Sequence, residues 1–169
     1  MEKSNHSNVL IVGGGCAGIA VASRINSLKS DLTISIVEPS EKSLYQAAWT
    51  LVGAGAYNVN DTIKPMSSVM PSYVKWIKEY AEEFLPDSNS LKTNGGTYTY
   101  DYLVVCPGLK LNYDGVAGLK ENLGKNNVCT NYSAEMATYT WDCLKQLDGG
   151  TLLFTEPPMP IKCAGAPQK

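Results

Sequence analysis

Three glycines constrain this chain more than any other feature. Gly13, Gly15 and Gly18 stand in the spacing G-x-G-x-x-G, directly after the apolar run "NVLIV" and at the head of "IAVASRINSLK". The spacing alone is common among unrelated proteins. Its context here is complete: a strand pattern before it, a helix pattern after it, then the second apolar run "LTISIVEP", ended by Pro39. Glu38 lies at the end of that second run, about 20 residues past the last glycine, where a ribose-binding acid is required. Each glycine has a physical task. Gly13 permits a tight turn, Gly15 lets the backbone approach a pyrophosphate, and Gly18 lets helix and strand pack closely. The pattern predicts a βαβ unit over residues 8–38 that seats a dinucleotide on the helix N-terminus. Glu38 can accept hydrogen bonds from a ribose 2′-hydroxyl and would repel a 2′-phosphate, so NADP is disfavoured. A glycine-rich turn without a ligand is the plainer alternative, and Glu38 argues against it.

The remaining composition narrows the function class. A length of 169 residues suits one domain or slightly more. A net charge of −2 and a single arginine, Arg24, offer no nucleic-acid footprint. The apolar share of 44% is enough for a core. No apolar run reaches the roughly 18 residues of a membrane span. The first residues, "MEKSNHSN", are polar and do not read as a signal or transit peptide. Five cysteines, Cys16, Cys106, Cys129, Cys143 and Cys163, are an odd number without CxxC spacing. With His6 the sole histidine, neither a disulfide scaffold nor a metal site is expected. The default for each cysteine is a small buried hydrophobe. Cys106 and Cys143, in an apolar strand and a helix, read as core.

Beyond the first unit the pattern changes. Residues 40–71 are irregular, aromatic and glycine-rich, as in a segment that lines a site. "SYVKWIKEYAEEF" is ambiguous: Val74, Trp76 and Lys78 alternate as in a strand, yet residues 79–84 favour helix. Asn94-Gly95-Gly96 predicts a hairpin turn, and "DYLVVCPG" an apolar strand stopped by Pro107-Gly108. A β-meander insertion over about residues 73–100, followed by a returning strand, favours FAD over NAD, because an NAD domain would continue with regular βα units. Gly108 would let the backbone come near the flavin. Ser133 is placed to cap a helix running to about Leu147, and "TLLFT" predicts a new strand. The fold expected is therefore α/β: a Rossmann-like FAD-binding domain over residues 1–148, then the truncated start of a second Rossmann-like domain at 149–169. After "TLLFT" a second glycine fingerprint would be needed for NAD, but "EPPMPIKCAGAPQK" carries four prolines instead. That argues for an electron donor other than NAD(P)H. Cys163 stands there beside Lys162, ahead of Pro167, whose position suits a first helical turn. A cation and a helix N-terminus both stabilise a thiolate.

The stretches "VEPSEKSLYQAAWTLVGAGA", "KPMSSVMPSYVKWIKEY", "NYSAEMATYTW" and "PIKCAGAPQK" resemble the sulfide:quinone oxidoreductases, in the branch that includes the mitochondrial enzymes. The resemblance runs from Val9 to Lys169. It implies an FAD enzyme that oxidises hydrogen sulfide through two redox cysteines, passes two electrons to quinone, and hands the sulfane sulfur to a small thiol, sulfite or sulfide. By the same resemblance Cys16 and Ala17 lie in the phosphate turn, Glu38 is the ribose-binding acid, and Gln46 belongs to a flavin-side stretch in which Ala47 replaces the usual proline. Ala81 marks a backbone contact to the adenine, Cys163 is the first redox cysteine, and Cys129 is a candidate auxiliary thiol. The family sits on a membrane surface, the cytoplasmic side of a bacterial plasma membrane or the mitochondrial inner membrane. The chain is expected to be an N-terminal portion, inactive alone and lacking the second cysteine. Rival readings are a type II NADH dehydrogenase, a flavocytochrome c sulfide dehydrogenase flavoprotein subunit, or a non-catalytic FAD-binding or sulfur-carrying module.

Overall fold

The computed structural model describes residues 5–155. The chain runs β1 (His6–Val12), α1 (Cys16–Leu28), β2 (Ile34–Val37), β3 (Lys42–Leu44), α2 (Trp49–Gly53), β4 (Ile63–Pro65), α3 (Met66–Val69), β5 (Val74–Ile77), β6 (Ala81–Leu85), β7 (Ser90–Thr93), β8 (Gly96–Val105), α4 (Leu119–Asn122) and α5 (Ala134–Lys145). Six strands form one sheet in the order β5-β2-β1-β8-β7-β6. The first four are parallel, with Val9 opposite Ile34 and Tyr102, and Ile34 opposite Val74. The last three are antiparallel.

The parallel strands read as unbroken apolar runs because both faces of the sheet are covered. Side chains alternate across a strand, so β1 feeds two cores. Val9 and Ile11 join Ile34, Ile36 and Ala22 under α1. Leu10 and Val12 join Val37, Ile77, Leu91, Tyr98 and Tyr100 under the meander. β8 serves both halves: residues 96–99 pair with β7, and Thr99 to Val105 pair with β1. The meander thus folds back over the face that α1 leaves open.

Several local expectations change. Residues 79–84 form no helix; β6 begins at Ala81 and pairs with β7. Pairing partners outweigh the modest helix preference of Glu and Ala there. Val74–Ile77, expected at the start of the meander, instead extends the parallel sheet beside β2. Residues 40–71 build a small β3–β4 hairpin and two short helices. Ser133 occupies the N-cap of α5 without a side-chain capping bond, and the helix ends at Lys145. Residues 151–155 form no strand, and Leu152, Leu153 and Phe154 are exposed. A strand needs a hydrogen-bonding neighbour, and among the described residues none pairs with this segment. α5 packs on α2 through Ala137, Trp49 and Val52, and the Trp49 indole donates to Thr62 Oγ1 at 3.1 Å.

Candidate functional site

The glycine loop closes the C-terminal edge of the parallel strands. Gly13 N donates to Val37 O at 2.9 Å, and Cys106 N donates to Val12 O at 2.8 Å, so the ends of three strands are tied together. Gly13 has φ +104°, a conformation that favours glycine. A side chain there would run into the Cys106 carbonyl, and one at Gly18 would run into the Gly13 carbonyl. Close helix–strand packing, the task assigned to Gly18, is therefore met by direct contact of α1 with the loop. Gly15 differs, because a Cβ there meets nothing within 4 Å. It faces open space, as a surface for close ligand approach should.

α1 starts with its donors uncovered. Gly15 is the N-cap, without a side-chain capping bond, and the first turn contains no acidic residue. Gly15, Cys16 and Ala17 are exposed. Unpaired amides and the positive end of the helix dipole suit a phosphate group. Glu38 is brought to the same loop. Its Oε2 accepts from Gly14 N at 2.8 Å, and its Oε1 accepts from Ser40 N at 2.8 Å. Its own backbone is held by β5: Glu38 N donates to Ile77 O at 2.9 Å, and the Trp76 indole donates to Glu38 O at 2.8 Å. A carboxylate offers about four lone-pair sites, so acceptor capacity remains for a ribose hydroxyl. The sequence reading overlooked Gly14. A Cβ there would meet the Glu38 Cβ and Cγ at 2.8 Å, so this glycine lets the acid lie against the loop. The extra glycine in "GGGCAG" was the signal.

The other sequence-predicted residues fall around this edge or away from it. Gly108, at φ +81° and exposed, follows Cys106 and Pro107 past the end of β8. Cys106 is half-buried, packs against the α1-side core, and donates through Sγ to Gly13 O at 3.7 Å. Burial pushes its thiol up from the ordinary value. Ala81 opens β6 and packs against the core that holds Val12, Val37 and Ile77, the last residues of β1, β2 and β5. Gln46 is half-buried and opens a 3-10 turn before α2. Cys129 lies in the loop before α5, where its Sγ donates to Asn127 O at 3.8 Å. Cys143, expected in the core, is only half-buried, because α5 turns that face toward a polar loop. Cys163 lies outside the described residues. Among the described residues no cluster of three or more His, Cys, Asp or Glu side chains is placed to hold a metal. None of their helices is long and apolar enough to cross a membrane.

A family model described as pyridine nucleotide-disulphide oxidoreductase matches residues 7–137. The chain belongs to that family. Within these oxidoreductases it is similar to the mitochondrial sulfide:quinone oxidoreductase of Mus musculus, at 42% identity over 98% of this chain and 37% of that one. It is also similar to the one from Dictyostelium discoideum, at 45% identity over 99% of this chain and 38% of that one. Among solved structures, the sulfide:quinone oxidoreductase of Aquifex aeolicus superposes with a TM-score of 0.67 at 30% identity, over 83% of this chain and 32% of that chain. The chain therefore spans less than two-fifths of these two curated relatives. The Rossmann-like α/β fold and the resemblance read from the sequence agree with these findings.

Proposed function

We propose that this chain forms the FAD-binding part of an enzyme that oxidises hydrogen sulfide to sulfane sulfur and passes the electrons to quinone. The observation that carries the reading is the similarity to sulfide:quinone oxidoreductases along nearly the whole chain, coinciding with a glycine loop built for a dinucleotide. The residues present fit FAD. The uncapped N-terminus of α1 offers amides from Cys16, Ala17 and Gly18 to the pyrophosphate, and Gly15 leaves room for it. Glu38 accepts from the ribose while holding the loop through Gly14. Ala81 and Gln46 border the adenine and flavin ends, and Gly108 lets the backbone approach the flavin. When bound, FAD supplies reversible two-electron chemistry.

The sulfur chemistry falls to Cys163 and a second cysteine beyond this chain. Sulfide attacks the disulfide between them, the S–S bond breaks, one cysteine keeps the added sulfur as a persulfide, and the other leaves as a thiolate. That thiolate carries the electron pair destined for the flavin, and a small thiol, sulfite or a second sulfide removes the sulfane sulfur. Lys162 beside Cys163 favours the thiolate electrostatically. The enzyme works at a membrane surface, where quinone is reached.

Two measurements test the reading separately. Titration of the chain with FAD, NAD and NADP, followed by flavin fluorescence or calorimetry, should show saturable FAD binding that outcompetes both nicotinamide nucleotides. A Glu38→Ala change should weaken it about tenfold or more, the loss of one charged hydrogen-bond acceptor. In a chain carrying the remainder of the fold, sulfide should reduce decylubiquinone, and Cys163→Ser should abolish that reduction. NADH-driven reduction of bound FAD with no response to sulfide would move the assignment to the NADH:quinone reductases.

A further inference from the structure

In the loop before α5, a left-handed turn brings two cysteines to the same asparagine, Asn127. Residues 125–128 form a tight turn, in which Val128 N donates to Lys125 O at 3.0 Å. Its central residues, Asn126 and Asn127, have φ +53° and +60°. Two consecutive left-handed residues define a type I′ turn, and asparagine is the non-glycine residue that best tolerates them. The turn is held on both sides. Asn126 Nδ2 donates to Asn122 Oδ1 at 2.8 Å, and Asn127 N donates to the Tyr139 hydroxyl at 3.1 Å. This geometry delivers Cys129 against α5, where Tyr139 and Cys143 lie one helical turn apart on one face.

Asn127 then organises both thiols. Cys129 Sγ donates to Asn127 O at 3.8 Å, and Cys143 Sγ donates to Asn127 Oδ1 at 3.8 Å. Both thiols thus share Asn127, and Tyr139, whose hydroxyl accepts from Asn127 N, lies on the same face of α5 as Cys143. The Thr140 hydroxyl, on the same helix, is buried with no hydrogen-bond partner. Burial and the neighbouring Cys143 push the Cys129 thiol up, while the Thr140 hydroxyl pulls it down by favouring the thiolate. A structural cysteine in a core has apolar walls and one role, packing. This pair is half-buried, walled by donors and acceptors, and reachable from solvent.

We propose that Cys129 and Cys143 form a second, reversible dithiol–disulfide centre, whose co-substrate is a low-molecular-weight disulfide such as oxidised glutathione. One thiolate attacks a sulfur of the small disulfide, breaks its S–S bond and expels one small thiolate. The other cysteine then attacks the first cysteine's sulfur, expels the second small thiolate and closes the Cys129–Cys143 bond. The two protons lost by the cysteines neutralise the two expelled thiolates, and two electrons pass from the protein to the small disulfide. The reverse exchange reopens the pair. Closure ties the Asn126–Asn127 turn to α5, which packs on α2 through Ala137. The inference depends on neither FAD nor Cys163.

The sequence makes the test direct. Between Lys125 and Lys145 there is no lysine or arginine, so trypsin leaves both cysteines on one peptide, from Asn126 to Lys145. The full native chain is incubated with oxidised glutathione, blocked with N-ethylmaleimide, digested and weighed. The expected peptide is lighter by two hydrogens and carries no maleimide. Treatment with reduced glutathione should restore a peptide carrying two maleimides. A Cys143→Ser chain should instead trap Cys129 as a stable mixed disulfide with glutathione, while the parent digest stands whether or not that variant folds. Two maleimides after oxidation, two separate glutathione adducts, or a link from Cys129 to the peptide that begins at Cys163 would each overturn the proposal.

Discussion

Gly18 has no space for a side chain. Its Cα hydrogen already faces the Gly13 carbonyl, so Gly18→Ala must push α1 away from β1. Overpacking of this kind costs about 1–3 kcal/mol, which urea unfolding would read as an earlier midpoint with an unchanged slope. FAD affinity should fall with it, because the loop and helix N-terminus move together. Glu38 acts through different physics. With both oxygens on backbone amides, it holds the loop even before a ligand arrives. Glu38→Ala leaves the half-buried Gly14 amide without its acceptor, at about 1–3 kcal/mol. An apo chain of unchanged stability would show that this bond contributes nothing to folding. Gly13, Gly18 and Glu38 were legible in the sequence because their spacing is dictated by one turn and two short elements. The bond from Gly14 to Glu38 was not, since any residue type supplies a backbone amide and only the fold says which acid receives it.

β8 carries the contact between the two halves of the sheet, and its last residue hands over to Cys106. Because burial holds that thiol above its ordinary value, Cys106 stays neutral in the folded chain at a pH where the unfolded chain already ionises it. Its contribution is fully present below the unfolded pKa and is lost as pH rises through the folded one. Stability should therefore decline above about pH 8.5, and Cys106→Ala should flatten that decline in thermal unfolding followed from neutral to alkaline pH. Cys129 is shifted in the same direction and adds to the same window, while Tyr98, raised by burial and by Glu79, acts at higher pH. At this scale the sequence misled at Val74–Ile77, at residues 79–84 and at residues 151–155. Residues 79–84 favour a helix locally, but β7 is adjacent, and strand pairing decides between the two.

Over the whole molecule, a single strand pins two cores. Leu10 and Ile11 are neighbours in β1, both fully buried, yet one faces the meander and the other faces α1. Leu10→Ala should cost about 2–5 kcal/mol by opening a cavity beneath Tyr98 and Tyr100, measurable by chemical denaturation. It should leave the α1 face, and so the phosphate end of the site, the less disturbed of the two. A loss of FAD affinity as large as that from Gly18→Ala would contradict this two-core arrangement. What the sequence by itself determined is the βαβ unit, its glycine loop and the acid at the end of β2, on which the proposed dinucleotide site rests. Those depend on periodicity and on residues within one turn of each other. What only the tertiary structure decided is where the meander lies, that Gly14 answers Glu38, and that Cys143 on α5 shares Asn127 with Cys129. Those contacts join residues far apart along the chain, and local pattern carries no information about which distant surfaces close on each other.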